Sequence, residues 1–351
     1  MNVPLRSGVV LAAFLSLTAS ASGATQSCAG DIDADGIVNG ADLGALLSNW
    51  GPVTADPNSV ACDLDGNGEV NGADLGFLLS SWGGCPAPVV PVWATLVDAQ
   101  PDPAVVTDPA LRAAIVSTGL AWRVLDTATQ IEMLLVPPGT FQMGCIMGSD
   151  AFGCYGEELP VHAVTLTTAF YLGRDEVTQA QWQGRMGSNP SGFQGFPDSP
   201  SRPVEQVSWN TIQGFCSATG MRLPTEAEWE YACRAGTTTP FYNGSTDDGT
   251  VGTLAWYAPN SDNRTHAVGG KAPNAFGFRD MLGNVMEFVN DWAGDYPASA
   301  VTDPTGPIFG ASRVTRGGSY LGESAVRSSF RSNADPGWTF EFIGFRVART
   351  P

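Results

Sequence analysis

The amino-acid sequence predicts a loop-rich α+β protein with a small helical module near its N-terminus. Three observations support this fold class. The 351 residues include 42 glycines and 25 prolines, which favours long loops over a bundle of helices. Helix-capping patterns alternate with short apolar runs that are typical of strands. Near the N-terminus, an acidic loop occurs twice, and each copy is followed by the apolar pattern of a short helix.

The first residues of the chain have the layout of a secretory signal peptide. Arg6 precedes the apolar run 9–17, and small residues follow as far as Ala24. The apolar run is too short to span a bilayer, and the sequence contains no longer one. We therefore expect a signal peptide over residues 1–24, no membrane span, and a mature protein that is secreted or lies in the cell envelope or periplasm.

Two twelve-residue loops, which start at Asp31 and Asp63, have the spacing of an EF-hand-type calcium loop. Oxygen-bearing side chains occupy positions 1, 3, 5, 9 and 12, glycine at position 6 permits the sharp turn, and position 7 offers its carbonyl. Because both copies have matching offsets, we expect calcium as the cofactor. The candidate ligands are Asp31, Asp33, Asp35, Ile37, Asn39 and Asp42 in the first loop, and Asp63, Asp65, Asn67, Glu69, Asn71 and Asp74 in the second.

One apolar helix follows each loop, so residues 28–85 resemble a dockerin pair and not a complete EF-hand pair. The resemblance implies a module that folds when calcium binds and that docks onto a cohesin-like or other extracellular protein. Loop positions 10 and 11, which usually carry Ser-Thr-like residues that choose the partner, are Gly40-Ala41 and Gly72-Ala73 here. An alternative is that calcium only holds the two helices together.

After the second repeat, the proline-rich stretch 86–92 is typical of a linker. We divide the remaining chain into a lead-in segment over 93–130 with one short helix, and a larger domain over 131–351. Apolar runs predict strands at 122–126 and 131–136. The predicted helix N-caps are Asp108, Thr178, Ser208 and Thr225, and two of them open capping boxes.

Four strings in the larger domain carry a family resemblance. They are RLPTEAEWEYACRAG from Arg222, DMLGNVMEFVNDW from Asp280, RVTRGGSY from Arg313 and GFRVAR from Gly344. In this order and at these intervals they resemble the formylglycine-generating enzyme family, also called the sulfatase-modifying factor family. The resemblance covers roughly residues 130–351 and implies a C-type-lectin-like fold.

The same resemblance implies a structural calcium site in the DMLGNVMEF segment. Family members bind this calcium through a side chain, two backbone carbonyls and a glutamate. Carried over to this chain, the ligands are Asp280, the carbonyls of Gly283 and Val285, and Glu287. Two carboxylates and backbone oxygens around a Gly-Asn turn also suit a hard cation on chemical grounds alone.

The RGGSY block and the strands after it predict a ligand-binding face, because the substrate groove of the family lies there. Its recurring arginines would suit an anion-reading surface, whereas the alternative is that they are buried and paired. The predicted face comprises Arg316, Ser319, Tyr320, Arg327 and Arg331.

Two positions argue against the chemistry of the family. Its oxidation of a substrate cysteine needs a pair of cysteine thiolates that bind Cu(I), a soft metal. By alignment, Gly322 occupies the first of these positions and Arg327 the second. We therefore do not expect copper, and the catalytic residues are unknown.

Seven cysteines follow the predicted signal peptide, and export permits disulfides. The odd count leaves at least one thiol unpaired or intermolecular. Cys145 and Cys154 bracket a glycine-containing loop and are the best candidates for a pair. The family resemblance places Cys216 and Cys233 where members form disulfides with cysteines that this chain lacks, so these two either pair with each other or stay free.

The net charge of −18 and a single lysine exclude some classes of partner. Such a chain is repelled by phosphate backbones and anionic membranes, so we expect no nucleic acid. Three functions stay open. The first is a tethered module that binds a peptide, glycan or sulfated polymer, and it is the one we favour because the cysteine pair is absent. The others are a sulfatase-modifying oxidoreductase with an unrecognised site, and a structural adaptor in an extracellular assembly.

Overall fold

The computed structural model describes residues 30–33, 37–54, 56–85, 87–146, 153–323 and 325–351. The predicted signal peptide, Cys28 and Asp35 lie outside these residues. The described residues form a mixed helix-and-sheet protein with two separate apolar cores, one in the N-terminal module and one in the C-terminal domain. Within the described ranges, no helix combines the length and apolarity that crossing a membrane requires.

The described part of the N-terminal module contains three helices and two short strand pairs. The helices are α1 (Gly40–Ser48), α2 (Pro57–Cys62) and α3 (Gly72–Ser80). The strands are β1 (Ile37–Val38), β2 (Gly51–Pro52), β3 (Glu69–Val70) and β4 (Gly83–Gly84). β1 pairs with β4, and β2 pairs with β3. Sequence analysis predicted α1 and α3 but not α2, which connects the two repeats.

The two repeats begin their helices in the same way. Asn39 is the N-cap of α1 and Asn71 the N-cap of α3, and each forms a capping box with the aspartate three residues later. Those aspartates, Asp42 and Asp74, are the last candidate ligands of the calcium loops. One carboxylate therefore connects the end of each loop to the start of its helix.

Five α-helices lie in the described part of the C-terminal domain: α4 (Pro109–Ser117), α5 (Gln179–Met186), α6 (Trp209–Thr219), α7 (Glu226–Arg234) and α8 (Val251–Leu254). The four predicted N-caps are confirmed, since Asp108, Thr178, Ser208 and Thr225 each accept a hydrogen bond from a backbone amide of their helix. α7 ends at Arg234, and its C-cap Ala235 adopts the left-handed conformation with φ +45°.

The strands of this domain form three sheets. The strands are β5 (Ala94–Asp98), β6 (Arg123–Asp126), β7 (Glu132–Val136), β8 (Gly139–Met143), β9 (His162–Leu166), β10 (Phe170–Gly173), β11 (Met286–Trp292), β12 (Val301–Thr302), β13 (Arg313–Arg316), β14 (Arg331–Ala334), β15 (Ile343–Gly344) and β16 (Ala348–Arg349). The strand orders are β16-β10-β7-β6-β5, β14-β13-β11-β15 and β12-β9-β8.

The segment we described as a lead-in contributes directly to the largest sheet. β5 and β6 pair with each other, and β6 continues the sheet by pairing with β7. Trp122, at the start of β6, is 2% exposed and belongs to the main core. The first strands after the linker are therefore packed as part of the C-terminal domain.

The second sheet carries the sequence strings that define the domain. β11 contains Glu287, β13 ends at Arg316, and β14 begins at Arg331. Two glycines follow β13 with positive φ values. A Cβ atom added to Gly317 would lie 2.9 Å from Met281 O, and one added to Gly318 would lie 2.6 Å from Ala325 O. The RGGS block thus needs glycine because the chain packs against itself there.

Candidate functional site

Both acidic loops gather carboxylates around one point. In the first loop, ligand atoms of Asp31, Asp33 and Asp42 lie within 4.8 Å of one another, and in the second loop those of Asp63, Asp65 and Asp74 do so. Three carboxylates this close repel one another unless a cation joins them. The donors are all oxygens, which suits calcium.

Backbone amides hold the last carboxylate of each loop in place. Asp42 Oδ1 accepts a hydrogen bond from the amide of Ile32 at 2.6 Å, and Asp74 Oδ1 accepts one from the amide of Leu64 at 2.7 Å. At position 9, the Oδ1 of Asn39 and Asn71 each cap a helix. Such an asparagine acts on a calcium ion through a water molecule, as position 9 often does.

The predicted calcium site in the C-terminal domain is only partly suited to a cation. Asp280 is buried, and its Oδ1 has no hydrogen-bond partner among the described residues. Burial raises the pKa of Asp280 to about 7. Glu287, however, already binds Arg346 at 2.6 Å and accepts a hydrogen bond from the indole of Trp229 at 2.6 Å. Asp280 and the turn at Gly283 and Val285 thus offer oxygens, while Glu287 is already engaged.

All five residues of the predicted ligand-binding face are buried, so the structure does not present them as an exposed anion-reading surface. Arg316 and Arg327 are 0% exposed, Tyr320 is 3%, Ser319 is 5% and Arg331 is 7% exposed. The alternative interpretation, buried and paired arginines, describes what the structure contains. The physical reason is that carboxylates from helix α7 and from the segment before β9 lie beneath these strands.

Two glutamates of α7 neutralise two of the arginines. Arg331 binds both carboxylate oxygens of Glu226 at 2.8 Å. Arg316 binds Glu230, and its guanidinium also donates to the carbonyls of Ser328 and Ser329 at 2.9 and 3.0 Å. The positive charge of these arginines is therefore used inside the domain and is not presented to an anion.

Arg327, at the position of the second family cysteine, forms a separate buried pair. Its guanidinium contacts the two carboxylate oxygens of Glu158 at 2.7 and 3.1 Å, and the Glu158 side chain is also fully buried. Gly322, at the position of the first family cysteine, lies in a turn where its amide donates to the carbonyl of Ser319 at 2.9 Å. Neither position supplies a thiolate.

A small cleft with a cavity volume of about 70 Å³ opens beside Arg331, the one residue of the predicted face that lines it. The rings of His162 and Tyr296 lie 4.9 Å apart, and the hydroxyl of Tyr296 donates to Glu226 Oε1 at 3.0 Å. A second cleft adjoins it and shares Arg331 and Asp295. The arrangement offers aromatic faces and hydrogen-bonding groups with little free positive charge.

One carboxyl group in the cleft has altered acid–base properties, and one imidazole has a defined hydrogen-bonding arrangement. Burial, followed by the nearby charge of Glu226, raises the pKa of Asp291 to about 8, so this carboxyl is largely protonated at neutral pH. His162 lies with Nδ1 3.1 Å from the carbonyl of Pro160. That contact requires a proton on Nδ1 and leaves Nε2 as the acceptor in the neutral ring. The cleft therefore contains one hydrogen-bond donor and one acceptor that can serve a polar ligand.

Sequence reasoning missed this cleft. The sequence motifs do not connect His162 and Asp291, which both line it. Both residues are in fact buried, at 5% and 3% exposure. β11 does not alternate between apolar and polar residues, and its pairing with β13 shifts register between Phe288 and Trp292, so no simple period-two pattern indicated the burial of Asp291.

Some of the described cysteines form disulfides, and others are free thiols. A disulfide joins Cys145 to Cys154 across nine residues, and Cys85 is also disulfide-bonded. Cys216 and Cys233 are free and buried, so the candidate pairing between them is wrong. Burial raises the pKa of each of these two thiols to about 12. They are apolar core residues and not reactive groups.

Comparison with protein families identifies both modules. The family described as "Sulfatase-modifying factor enzyme 1-like domain" matches residues 123–351, which is more than half of the chain. The family described as "Dockerin type I domain" matches residues 29–79. The first match begins at β6, in agreement with the packing of that strand in the main sheet.

Individual proteins similar to this chain include formylglycine-generating enzymes. A formylglycine-generating enzyme from Thermomonospora curvata is 35% identical over 196 residues, which cover 50% of this chain and 63% of that protein. One from Bos taurus is 33% identical over 197 residues, which cover 49% of this chain and 52% of that protein. The chain thus spans between half and two thirds of the length of these curated relatives.

A solved structure extends the comparison to the fold. "Treponema denticola variable protein 1" superposes with a TM-score of 0.57 at 30% identity, over 63% of this chain and 95% of that one. The match supports the C-type-lectin-like fold that the sequence strings implied. The chain therefore belongs to the formylglycine-generating enzyme, or sulfatase-modifying factor, family and carries a type I dockerin domain ahead of the family domain.

Proposed function

We propose that this is an exported calcium-binding protein whose C-terminal domain binds a ligand and whose dockerin module attaches that domain to an extracellular partner. The observation that carries the proposal concerns the two positions where the family has its copper-binding cysteines. Gly322 provides no side chain there, and Arg327 is buried against Glu158. The domain keeps the family fold, but it has a buried Arg327–Glu158 ion pair where the second family cysteine would be. Such a domain is better suited to binding a ligand than to copper chemistry at the two family cysteine positions.

The ligand is expected to bind in the cleft beside Arg331. Its walls combine aromatic rings, proline rings and neutral or acidic polar groups: His162, Asp291, Trp292, Asp295, Tyr296 and Pro307. Because Glu226 already neutralises Arg331, a sulfated polymer would meet acidic groups without free cations. Of the three ligand classes that the sequence left open, the cleft therefore favours a peptide or a glycan.

The acidic loops and their helices support the second part of the proposal, which is calcium binding and attachment to a partner through the dockerin module. Each loop brings three carboxylates together, and the same loops begin helices α1 and α3. On those helices, Leu47 and Leu79, at equivalent positions of the two repeats, are each 52% exposed. A cohesin-type partner is the class of protein that a dockerin implies, and exposed apolar side chains suit such a contact.

Binding arrays test the ligand proposal. The mature protein, loaded with calcium, is applied to peptide and neutral-glycan arrays beside Asp295→Arg and Asp262→Arg variants. Asp295 is exposed and lines both clefts, whereas Asp262 is an exposed aspartate that lines neither. We expect a bound ligand whose affinity falls by about tenfold or more in Asp295→Arg, a change of about 1.4 kcal/mol, and not in Asp262→Arg.

Two results would count against this function. Equal losses in the two variants would place the ligand outside the cleft. If no ligand binds but the protein still captures an extracellular partner through its calcium loops, the adaptor function replaces the ligand-binding one.

A further inference from the structure

The Cys145–Cys154 disulfide lies beside the buried pair of Arg327 and Glu158. The Sγ atom of Cys145 is 3.8 Å from an Arg327 guanidinium nitrogen. The two sulfurs and a carboxylate oxygen of Glu158 lie within 4.8 Å of one another. One sulfur of the disulfide thus contacts the side chain that occupies the second family cysteine position, and both sulfurs lie near its carboxylate partner.

We propose that reduction of this disulfide creates a dithiol site that binds a soft monovalent metal ion, with Cys145 and Cys154 as its ligands. The site uses residues that are distinct from the calcium loops and from the cleft beside Arg331. It also differs from the aligned positions Gly322 and Arg327, neither of which provides a sulfur.

The reductant belongs to the class of dithiols. Cys154 is partly exposed whereas Cys145 is buried, so a reductant thiolate attacks the sulfur of Cys154. The disulfide bond breaks, a mixed disulfide forms on Cys154, and Cys145 leaves as a thiolate. The second thiol of the reductant then displaces Cys154, so the reductant becomes a disulfide and the protein gains two electrons and two protons.

Metal binding follows from the dithiol state. A univalent soft ion replaces the two thiol protons and forms two metal–sulfur bonds, which gives a complex with one negative charge. Thiolates select such ions over hard cations. The guanidinium of Arg327, which binds Glu158, also lies 3.8 Å from Cys145 Sγ and can donate a hydrogen bond to that sulfur.

The surroundings also argue for a two-coordinate ion. A divalent ion such as zinc would usually require four ligands, and Glu158 is the nearest further donor. Both of its carboxylate oxygens are held by Arg327 at 2.7 and 3.1 Å. The two sulfurs therefore suit a soft ion that is stable with only two ligands.

Competition with a chromophoric Cu(I) chelator tests the proposal in three samples of the full mature chain. These are the oxidised parent, the parent reduced by a dithiol that is then removed, and a reduced variant with Cys145→Ser and Cys154→Ser. The oxidised parent keeps the free thiols of Cys62, Cys216 and Cys233, so it controls for those groups. The reduced variant controls for any other disulfide that opens, including that of Cys85.

We expect the reduced parent to bind one more equivalent of Cu(I) than either control. Equal binding in all three samples would overturn the proposal. A second measurement on the parent does not depend on folding of the variant. Cu(I) should protect Cys145 and Cys154 from alkylation, read by peptide mass spectrometry, and alkylation of both at the metal-free rate would contradict the site.

Discussion

Removing the charge of Glu158 tests the structural account of the arginine-rich strands most sharply. The carboxylate contacts the Arg327 guanidinium at 2.7 and 3.1 Å, and neither side chain is exposed. Replacement of Glu158→Gln keeps the size of the side chain and one acceptor oxygen but removes the negative charge. Arg327 then remains as a buried cation beside neutral groups such as the hydroxyl of Ser329 at 3.2 Å.

We expect the free energy of unfolding of the C-terminal domain to fall by about 3–5 kcal/mol, the usual cost of leaving one member of a buried ion pair without its partner. The combined variant Glu158→Leu with Arg327→Met removes both charges. It should recover most of the loss, because apolar residues often replace a buried pair without net destabilisation.

Urea unfolding in excess calcium, followed by near-ultraviolet circular dichroism, measures these differences. The matched control is Asp262→Asn, which removes the partner of Arg264 in an exposed pair at 3.3 Å. Surface pairs contribute about 0–1 kcal/mol, so this variant should resemble the parent. If Glu158→Gln loses no more stability than Asp262→Asn, the buried pair does not have the role that we assign to it.

Three further predictions concern calcium, pH and the buried thiols. Asp74→Ala removes one of three clustered carboxylates and should weaken calcium binding to its loop by about tenfold or more; an unchanged affinity in calorimetric titration would contradict the loop assignment. The folded state holds the Asp291 proton up to about pH 8, whereas the ordinary pKa of this group is 3.8. Between these two pH values the folded state binds more protons than the unfolded state, so the free energy of unfolding falls as pH rises. Asp291→Asn should therefore flatten the decline of unfolding free energy between about pH 4 and 8, and an unaltered slope would show that Asp291 is not the titrating group. Cys216 and Cys233, whose pKa values burial raises to about 12, should not react with a chromogenic disulfide reagent until urea unfolds the domain; rapid reaction in native protein would contradict their burial.

Local signals carried most of what the sequence could predict. The capping boxes at Thr178 and Thr225 identified the starts of α5 and α7 because each involves residues only three positions apart. The acidic loops were equally readable, since all candidate ligands of one loop lie within twelve residues. The same locality explains why the dockerin resemblance and the later family strings could be recognised directly.

Contacts between distant residues were beyond the reach of sequence patterns. Arg327 and Glu158 are 169 residues apart, and Arg316 and Glu230 are 86 apart. No periodicity connects such partners, so the sequence left open whether the arginines form an anion-reading surface or are buried and paired with carboxylates. The cleft was missed for the same reason, because β9, α7 and the segment after β11 contribute its walls from separate parts of the chain.

A turnover assay tests the central claim that this domain binds a ligand and does not generate formylglycine. The mature protein, folded and loaded with calcium, is incubated with Cu(I) and a sulfatase-type peptide that contains Cys-x-Pro-x-Arg. Mass spectrometry then reports whether the peptide cysteine is converted to formylglycine. Our account predicts no conversion, because Gly322 and Arg327 replace the two family cysteines. Conversion by the purified protein would contradict it and establish the domain as a sulfatase-modifying oxidoreductase.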